Sequence, residues 1–219
     1  MPRQTHPTTA PERVRARRDP ESSRRALLGA AIGEFAEKGL AGARVDEIAA
    51  RAGVNKQLVY HHFGTKEDLY AAALEAVYAE IRSREKALHL TDLAPKAAME
   101  RLVGFSFDYL VAHPEFVALL NDENQHAARH VQASPGLRRM HSPLIGLIGE
   151  TLARGAAEGV FRNDLDPVDV YISIAGISYF YFSNNHTLSA IFGARLGTKA
   201  AIGRRRRHVI DFVLSALRP

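Results

Sequence analysis

The segment VDEIAARAGVNKQLVYHHF, residues 45–63, constrains the fold of this chain more than any other part of the sequence. Its first apolar residues repeat at helical spacing and predict a helix from about Val45 to Ala52. Gly53 then supplies a turn residue, and a second short helix is expected to start at Asn55. A helix, a short glycine-containing turn and a second helix form the layout of a DNA-binding helix-turn-helix motif.

The second helix of this motif is expected to have a buried side and an exposed side. Val59 and Phe63 are four residues apart and can both pack inward, while Asn55 can cap the helix, whose free N–H groups suit a phosphate. Lysine and glutamine donate to bases or phosphates, tyrosine reaches phosphate oxygens, and leucine contacts a thymine methyl. The residues left facing outward are Lys56, Gln57, Leu58, Tyr60, His61 and His62. The alternatives are a core position for the tyrosine and packing between helices for one histidine.

Helical spacing continues on both sides of the motif. Asp19 is expected to cap a first helix that Gly39 ends. The capping pattern of residues 65–68 opens a long helix, predicted from Thr65 to about Leu90, with Lys66 in its first turn. Further helical segments follow, and no alternating apolar and polar run predicts a strand. We therefore expect an all-α protein.

The text from about Arg24 to Tyr70, RRALLGAAIGEFAEKGLAGARVDEIAARAGVNKQLVYHHFGTKEDLY, resembles the TetR/AcrR family of bacterial one-component repressors. The matching pieces are the first helix with Phe35 and Gly39, then VDEIAARAGV, then VYHHFGTKEDLY, in ungapped spacing. The resemblance implies an N-terminal three-helix head that binds operator DNA and a C-terminal helical body that binds a small-molecule effector and dimerises. We expect the domains to be residues 19–66 and 67–219.

The resemblance also implies which residues contact DNA. Tyr60 and Lys66 should contact phosphates, whereas Gln57 and its outward neighbours lie on or beside the base-reading surface. Arg44 lies where the family commonly has a hydroxyl residue, and Leu58 where Thr, Ser or Ala is frequent, so the operator sequence does not carry over. The expected DNA-binding set is Arg44, Asn55, Lys56, Gln57, Leu58, Tyr60, His61, His62, Thr65 and Lys66.

Basic charge is concentrated at the N-terminus. The whole chain has a formal net charge of +5, and residues 1–18 hold five arginines against one glutamate. A segment of this composition is expected to be disordered in isolation. It is either a solubilising tail or an arm that contacts phosphates or a minor groove.

The C-terminal body carries interleaved aromatic and polar residues, which suit an apolar cavity with a few hydrogen-bonding groups. The sequence pattern of this part resembles that of a TetR subgroup whose effectors include small aromatic or heterocyclic compounds. A plain helical core with interfacial amides is the alternative. The expected ligand-binding set is Phe105, Tyr109, Phe116, Asn121, Asn124, Gln125, Tyr179 and Asn184.

The last two long helices, about Asp166–Ser183 and Ala200–Leu217, are expected to pair across a two-fold axis as a four-helix bundle. The apolar run within the first of them, Val170–Phe182, is too short to span a membrane and predicts a buried helix. The arginine run, residues 204–207, is expected to form a solvated rim of the last helix. A bound effector would push the Thr65–Leu90 helix and spread the two heads.

Other functions find less support in the sequence. His126 and His130 have the spacing of two metal ligands and Glu123 lies one turn earlier, but no second local ligand group appears, and we expect hydrogen-bonding histidines and no metal or other cofactor. No nucleophile motif, acid/base pair or phosphate loop predicts an enzyme. A DNA-binding architectural protein without an effector remains the alternative to a ligand-responsive repressor.

Composition sets the remaining bounds. The 219 residues contain no cysteine, which excludes a disulfide scaffold and a thiolate metal site. The N-terminus has no apolar segment typical of a secretory signal, and no run of about 18 uncharged apolar residues predicts a membrane span. We expect a cytoplasmic protein.

Overall fold

The computed structural model describes residues 19–139 and 142–219, and the basic segment of residues 1–18 lies outside them. The described residues form twelve α-helices and no strand, which confirms the all-α fold. A short 3-10 helix, Leu90–Asp92, lies between the fourth and fifth helices. The α-helices are α1 Pro20–Gly42, α2 Val45–Ala52, α3 Lys56–Phe63, α4 Lys66–Lys86, α5 Pro95–Ala112, α6 Pro114–Gln125, α7 Arg129–Ala133, α8 Pro135–Arg139, α9 Ser142–Ala157, α10 Pro167–Ser183, α11 Asn185–Ile191 and α12 Lys199–Ala216.

The predicted bounds of α1 need two corrections. Asp19 does not cap the helix with its side chain; instead its carbonyl accepts hydrogen bonds from Ser22 Oγ and from the backbone N–H of Ser23. Gly39 does break the helix, at φ 66° and ψ 174°, but one more helical turn follows as far as Gly42. The turn continues because Leu40 is buried and its backbone N–H donates to a carboxylate of α6.

The predicted end of α4 at Leu90 is four residues too late, since the helix ends at Lys86. His89 takes a left-handed conformation with φ 49°, which stops the helix and turns the chain. Leu90 is buried in the second core described below, where it packs as part of the 3-10 helix.

Two apolar clusters hold the molecule together. The first joins α1–α4 to residues of α5, α6 and α8, and Phe35 packs edge-on against Tyr70 in it with ring centroids 5.1 Å apart. The second joins α5, α9, α10 and α12. Because Phe116 and Leu119 of α6 belong to the first cluster, the head shares its core with the body.

The prediction that α10 is a buried helix is wrong for one of its faces. Val170, Ile174 and Tyr181 are buried, but Ile172 is 58% exposed and Phe180 is 56% exposed. Residues 172, 176 and 180 recur every four positions and form one continuous side of the helix. An apolar helix is therefore only half covered within a single chain.

The arginine run on α12 is not a uniform solvated rim. Arg206 forms a two-pronged ion pair with Asp108 of α5, with Nε–Oδ1 2.7 Å and Nη2–Oδ2 2.8 Å. Arg205 donates to the carbonyl of Ile177 on α10. The prediction of a solvated rim therefore fails for Arg205, which is partly buried against α10. Arg206 fits the prediction, because its side chain stays 40% exposed although it pairs with α5.

No single helix in the described residues has both the length and the apolar character needed to cross a membrane. Together α5 and α6 meet the length and composition test, but they are bent by 88° at the break between them.

Candidate nucleic-acid interface and effector cavity

The sequence between α2 and α4 fixes the position of α3. Gly53 adopts a left-handed conformation, φ 65° and ψ 36°, and closes α2. Asn55 caps α3 by accepting a hydrogen bond from the N–H of Gln57 at 2.9 Å, as the sequence predicts. Val59 and Phe63 are buried in the head. These contacts orient one face of α3 toward solvent.

The outward face of α3 carries Lys56, Gln57, Tyr60 and His61, which are all exposed. Tyr60 is 48% exposed, which contradicts the alternative that its ring belongs to the core. Leu58 is a partial exception to the prediction, because it is half-buried against the first core cluster. His62 is also half-buried, and its ring packs beside that of Phe63 with centroids 6.2 Å apart.

Charged contacts hold the positive groups at this face. Lys56 Nζ lies 2.7 Å from Asp46 Oδ1 of α2, and this hydrogen bond raises the pKa of the lysine and lowers that of the carboxyl. Arg44 has an exposed side chain and provides no side-chain cap for α2. Its backbone N–H donates instead to the buried carboxylate of Glu34, which also pairs with Arg51 at 3.1 Å.

The start of α4 adds a further positive group. Thr65 and Asp68 form the predicted capping box, and the backbone N–H of Thr65 lowers the pKa of the Asp68 carboxyl. Lys66 follows in the first turn, half-buried, and its Nζ donates to the carbonyl of Ala43 at 3.2 Å. The ammonium is thus held at the junction of α1 and α4, beside the helix-turn-helix motif.

A cavity of about 510 Å³ lies in the body between α4, α5, α6 and α10. Its wall combines aromatic rings and aliphatic side chains with a small number of polar groups, which is the composition of a small-molecule site. The lining residues are Tyr78, Ile81, Arg82, Glu85, Ser106, Leu110, Phe116, Leu120, Asn124, Tyr171, Ile172, Ile174, Ala175, Gly176, Ser178 and Tyr179.

Three residues of the predicted ligand set line this cavity, namely Phe116, Asn124 and Tyr179. Asn121 lies behind the wall and accepts a hydrogen bond from the hydroxyl of Tyr179. Tyr109 is buried in the first core, where its ring stacks on His113 with centroids 4.2 Å apart.

The other predicted ligand residues lie elsewhere. Phe105 lines a separate surface depression beside Arg206, and Gln125 is exposed at the end of α6. Asn184 follows α10, and its amide donates to the carbonyl of Phe180. These three were predicted on composition, and the packing of the helices turns them away from the cavity.

The ligand-binding set predicted from the sequence omitted the charged residues that line the cavity. Arg82 and Glu85 form an ion pair one turn apart on α4, and Arg82 also donates to the hydroxyl of Tyr171 at 3.2 Å. Ser178 is fully buried on α10. The spacing of two opposite charges three residues apart was visible, but it is also common on solvated helices.

The two histidines with metal-ligand spacing are engaged in hydrogen bonds. His130 Nδ1 lies 2.7 Å from Glu123 Oε2, and His126 Nδ1 lies 2.8 Å from the carbonyl oxygen of Asp122. His130 also packs edge-on against Tyr70. Within the described ranges, no three His, Cys, Asp or Glu residues are grouped as a metal site.

The capped and outward-facing α3, the helix-turn-helix geometry and the cavity in a helical body define a DNA-binding transcriptional regulator with a small-molecule site. Two family models match the chain: bacterial regulatory proteins of the tetR family over residues 27–73, and the tetracyclin repressor-like C-terminal domain over residues 95–213. The chain belongs to the TetR family of transcriptional regulators.

Individual relatives are similar to this chain over nearly its whole length. The transcriptional repressor NicS of Pseudomonas putida is 36% identical over 192 residues, which cover 88% of this chain and 91% of that protein. The transcriptional regulator SCO4942 of Streptomyces coelicolor has a solved structure with TM-score 0.69 and 26% identity, covering 90% of this chain and 99% of that one. The ketosteroid transcriptional regulator KstR2 of Mycobacterium tuberculosis shares the fold, with TM-score 0.66, 24% identity and coverage of 90% and 95%.

The protein is accordingly a transcriptional repressor that binds DNA, and its family consists of regulators and not of enzymes. The alternative of an architectural protein without an effector is not favoured, because the relatives are repressors.

Proposed function

We propose that a small-molecule effector occupies the cavity between α4, α5, α6 and α10 and thereby releases the protein from its operator. The supporting observation is that α4 belongs to both sites: Lys66 stands in its first turn beside the helix-turn-helix motif, and Arg82 and Glu85 line the cavity. A ligand that displaces the cavity end of this helix also displaces its DNA end. The head of this mechanism is residues 19–66, and the body is residues 67–219.

A second connection between cavity and head runs through α6. Phe116, Leu120 and Asn124 line the cavity, while Asp122 on the same helix accepts the backbone N–H of Leu40 in the head at 3.0 Å. Because α6 touches both sites, it transmits movement along with α4. The sequence predicted that α4 alone carries this movement, and we now propose that α6 carries it too.

The DNA face in this proposal consists of the exposed residues of α3 with Arg44, Thr65 and Lys66. Two such faces, one from each protomer, enter successive major grooves, so the operator is an inverted repeat. Gln57 and His61 face the bases, whereas Tyr60 and Lys66 contact phosphates.

Dimerisation uses α10 and α12. Their uncovered apolar residues include Ile172, Phe180 and Phe212, the last of which is 55% exposed. Two copies of this helix pair across a two-fold axis form a four-helix bundle and cover these side chains.

The effector is a small aromatic or heterocyclic compound. Four aromatic residues line the cavity, and its volume lies in the lower half of the range for small-molecule sites. A repressor acts where the DNA is, so the protein works in the cytoplasm. The structural relative KstR2 is described as a ketosteroid regulator, and nothing in the wall of this cavity requires so large a ligand.

The test starts from the full-length protein and random DNA. Rounds of selection and amplification are expected to enrich an inverted repeat, and a thermal-shift screen is expected to find compounds that stabilise the protein. Those compounds are then added to the protein–operator complex. Stabilising compounds that enter the cavity but never release DNA would contradict the effector role.

A further inference from the structure

We propose that the cavity takes a small planar anion, whose charged group replaces Glu85 as the partner of Arg82 while Glu85 takes up a proton from solvent. This inference rests on the proposed effector role of the cavity and specifies the ligand for it. No covalent step is involved: one anion is bound and one proton is transferred to a carboxylate.

Two hydrogen-bond donors of residues that line the cavity have no acceptor among the described residues. Arg82 uses Nη1 for Glu85 and Nη2 for Tyr171, yet its Nε is buried and has no hydrogen-bond partner among the described residues. The hydroxyl of Ser178, fully buried in the same wall, is also without a hydrogen-bond partner there. A buried donor without an acceptor is unfavourable, so a ligand that takes the place of the Glu85 carboxylate gains by supplying an acceptor to the Arg82 guanidinium. A carboxylate suits the planar guanidinium best.

The two members of the ion pair respond differently to such a ligand. A guanidinium keeps its charge at every accessible pH. Burial raises the pKa of Glu85 to about 7, and the neighbouring Arg82 offsets only part of that rise. The carboxyl can therefore become neutral at small cost near neutral pH, whereas the arginine cannot. An incoming anion therefore displaces Glu85 from Arg82, and the displaced Glu85 carboxyl becomes protonated.

Arg82 is the charged group that acts on the Glu85 carboxyl. Glu85 in turn acts on the phenol of Tyr109, together with Glu80, Arg84 and Glu115. Glu123 of α6, which is held by His130, acts with Arg82 on the phenol of Tyr78. The titratable groups around the pair are Tyr78 on α4, Tyr109 on α5, Glu123 on α6, and Tyr171 and Tyr179 on α10.

The aromatic wall explains why the anion should be planar. Tyr78 and Phe116 meet edge-to-face with centroids 5.5 Å apart, and Tyr171 lies under the guanidinium of Arg82 at 5.8 Å. Flat rings pack against such walls by stacked or edge-on contacts. The ligand that suits both the aromatic wall and the Arg82 guanidinium is thus a single aromatic ring that bears a carboxylate.

Benzoate and benzamide test the charge, because they have nearly the same shape. Calorimetric titration of the full-length protein at pH 7 is expected to give at least tenfold tighter binding of benzoate. At pH 8 the benzoate enthalpy is expected to differ between Tris and HEPES by an amount that corresponds to proton uptake approaching one per site, since Glu85 is then mostly ionised before binding. Equal affinity for the two compounds, no benzoate binding at millimolar concentration, or buffer-independent enthalpies would each overturn the inference.

The pH dependence gives a second readout. The complex holds one more proton than the free protein above pH 7, so benzoate affinity is expected to fall about tenfold per pH unit there and to level off below pH 7. Glu85→Gln mimics the protonated side chain, so it should bind benzoate about tenfold more tightly than wild type at pH 8 and lose the slope.

Two further variants sharpen the assignment. Glu80→Gln is the matched control, because Glu80 lies on the same helix, pairs with Arg84 and does not line the cavity. It should keep the wild-type slope, and loss of the slope in this variant would contradict the role of Glu85. Arg82→Gln should remove the preference for benzoate over benzamide. If that variant does not fold, the buffer dependence of the wild type decides the question alone.

The same samples separate this inference from the proposed function. Benzoate binding with proton uptake but without operator release leaves the anion site standing and contradicts the effector role. Operator release by neutral aromatic compounds that bind better than benzoate supports the effector role and overturns the anion site.

Discussion

We propose that single side chains on α3 and α4 divide into groups that position the head on DNA and groups that read the base sequence. Tyr60 is exposed, and the ammonium of Lys66 lies at the edge of the motif, so we assign both residues to the phosphate backbone. Gln57 lies at the start of α3 with its side chain exposed, and we assign it to the base edges.

We predict that Lys66→Ala and Tyr60→Phe weaken binding to all DNA sequences by similar factors. Removal of one phosphate contact should reduce the slope of log affinity against log salt by about one per half-site for Lys66→Ala. Gln57→Ala should instead relax base preference. Lys86→Ala, at the far end of the same helix, is the control and should behave as wild type. A sequence-selective loss in Lys66→Ala with an unchanged salt slope would contradict the assignment.

The raised pKa of Glu85 predicts how the stability of the fold depends on pH. Its pKa is raised to about 7 in the folded protein, above its usual value of 4.5. The folded state therefore binds more protons than the unfolded state between these values, and stability is lost as the pH rises through that window. Between pH 5 and pH 8, wild type should lose about 2 kcal/mol more unfolding free energy than Glu85→Gln. Urea unfolding at both pH values measures this, and parallel losses in the two proteins would refute it.

At the scale of elements, α6 stands out because it belongs to the core of the head and to the wall of the cavity. Its Asp122 reaches Leu40 only because Gly39 has no side chain: a Cβ there would lie 2.5 Å from Asp122 Oδ1. The break in α1 is thus the place where the head fits onto the body.

We predict that Gly39→Ala destabilises the protein by about 2–4 kcal/mol, from the sum of a left-handed backbone conformation and the clash with Asp122. Gly29→Ala is the matched control on the same helix, where an added Cβ meets no atom within 4 Å. That variant should gain up to about 1 kcal/mol. Thermal and urea unfolding compare the two, and equal effects would show that Gly39 is not special.

The sequence predicted local structure well and three-dimensional assembly less well. The bounds of α2, the Asn55 cap and the capping box at Thr65 depend on neighbouring residues, and each is confirmed. The cavity wall draws on four helices, so composition identified Phe116 but also selected Gln125, which faces solvent. Arg82 was missed because its burial in the cavity wall depends on how the helices pack, and the sequence shows only a charge at helical spacing.

At the scale of the whole molecule, the uncovered side of α10 and α12 predicts how two chains associate. Phe212→Glu should separate the dimer, because a charge in the middle of an apolar four-helix interface loses its hydration without a partner. Val111→Glu, on an exposed position of α5, is the control and should remain dimeric. Sedimentation measures both. A dimeric Phe212→Glu would place the interface elsewhere.

We propose that effector and operator compete through the shape of the dimer. If a ligand weakens operator binding roughly 100-fold, the coupling free energy is about 3 kcal/mol, and operator must weaken ligand binding by the same factor. The decisive measurement is the affinity of one cavity-bound compound for the free dimer and for the dimer saturated with operator. We predict a loss in the operator complex equal to the loss of operator affinity caused by the ligand. Equal ligand affinity for the free and DNA-bound dimer would contradict the induction mechanism.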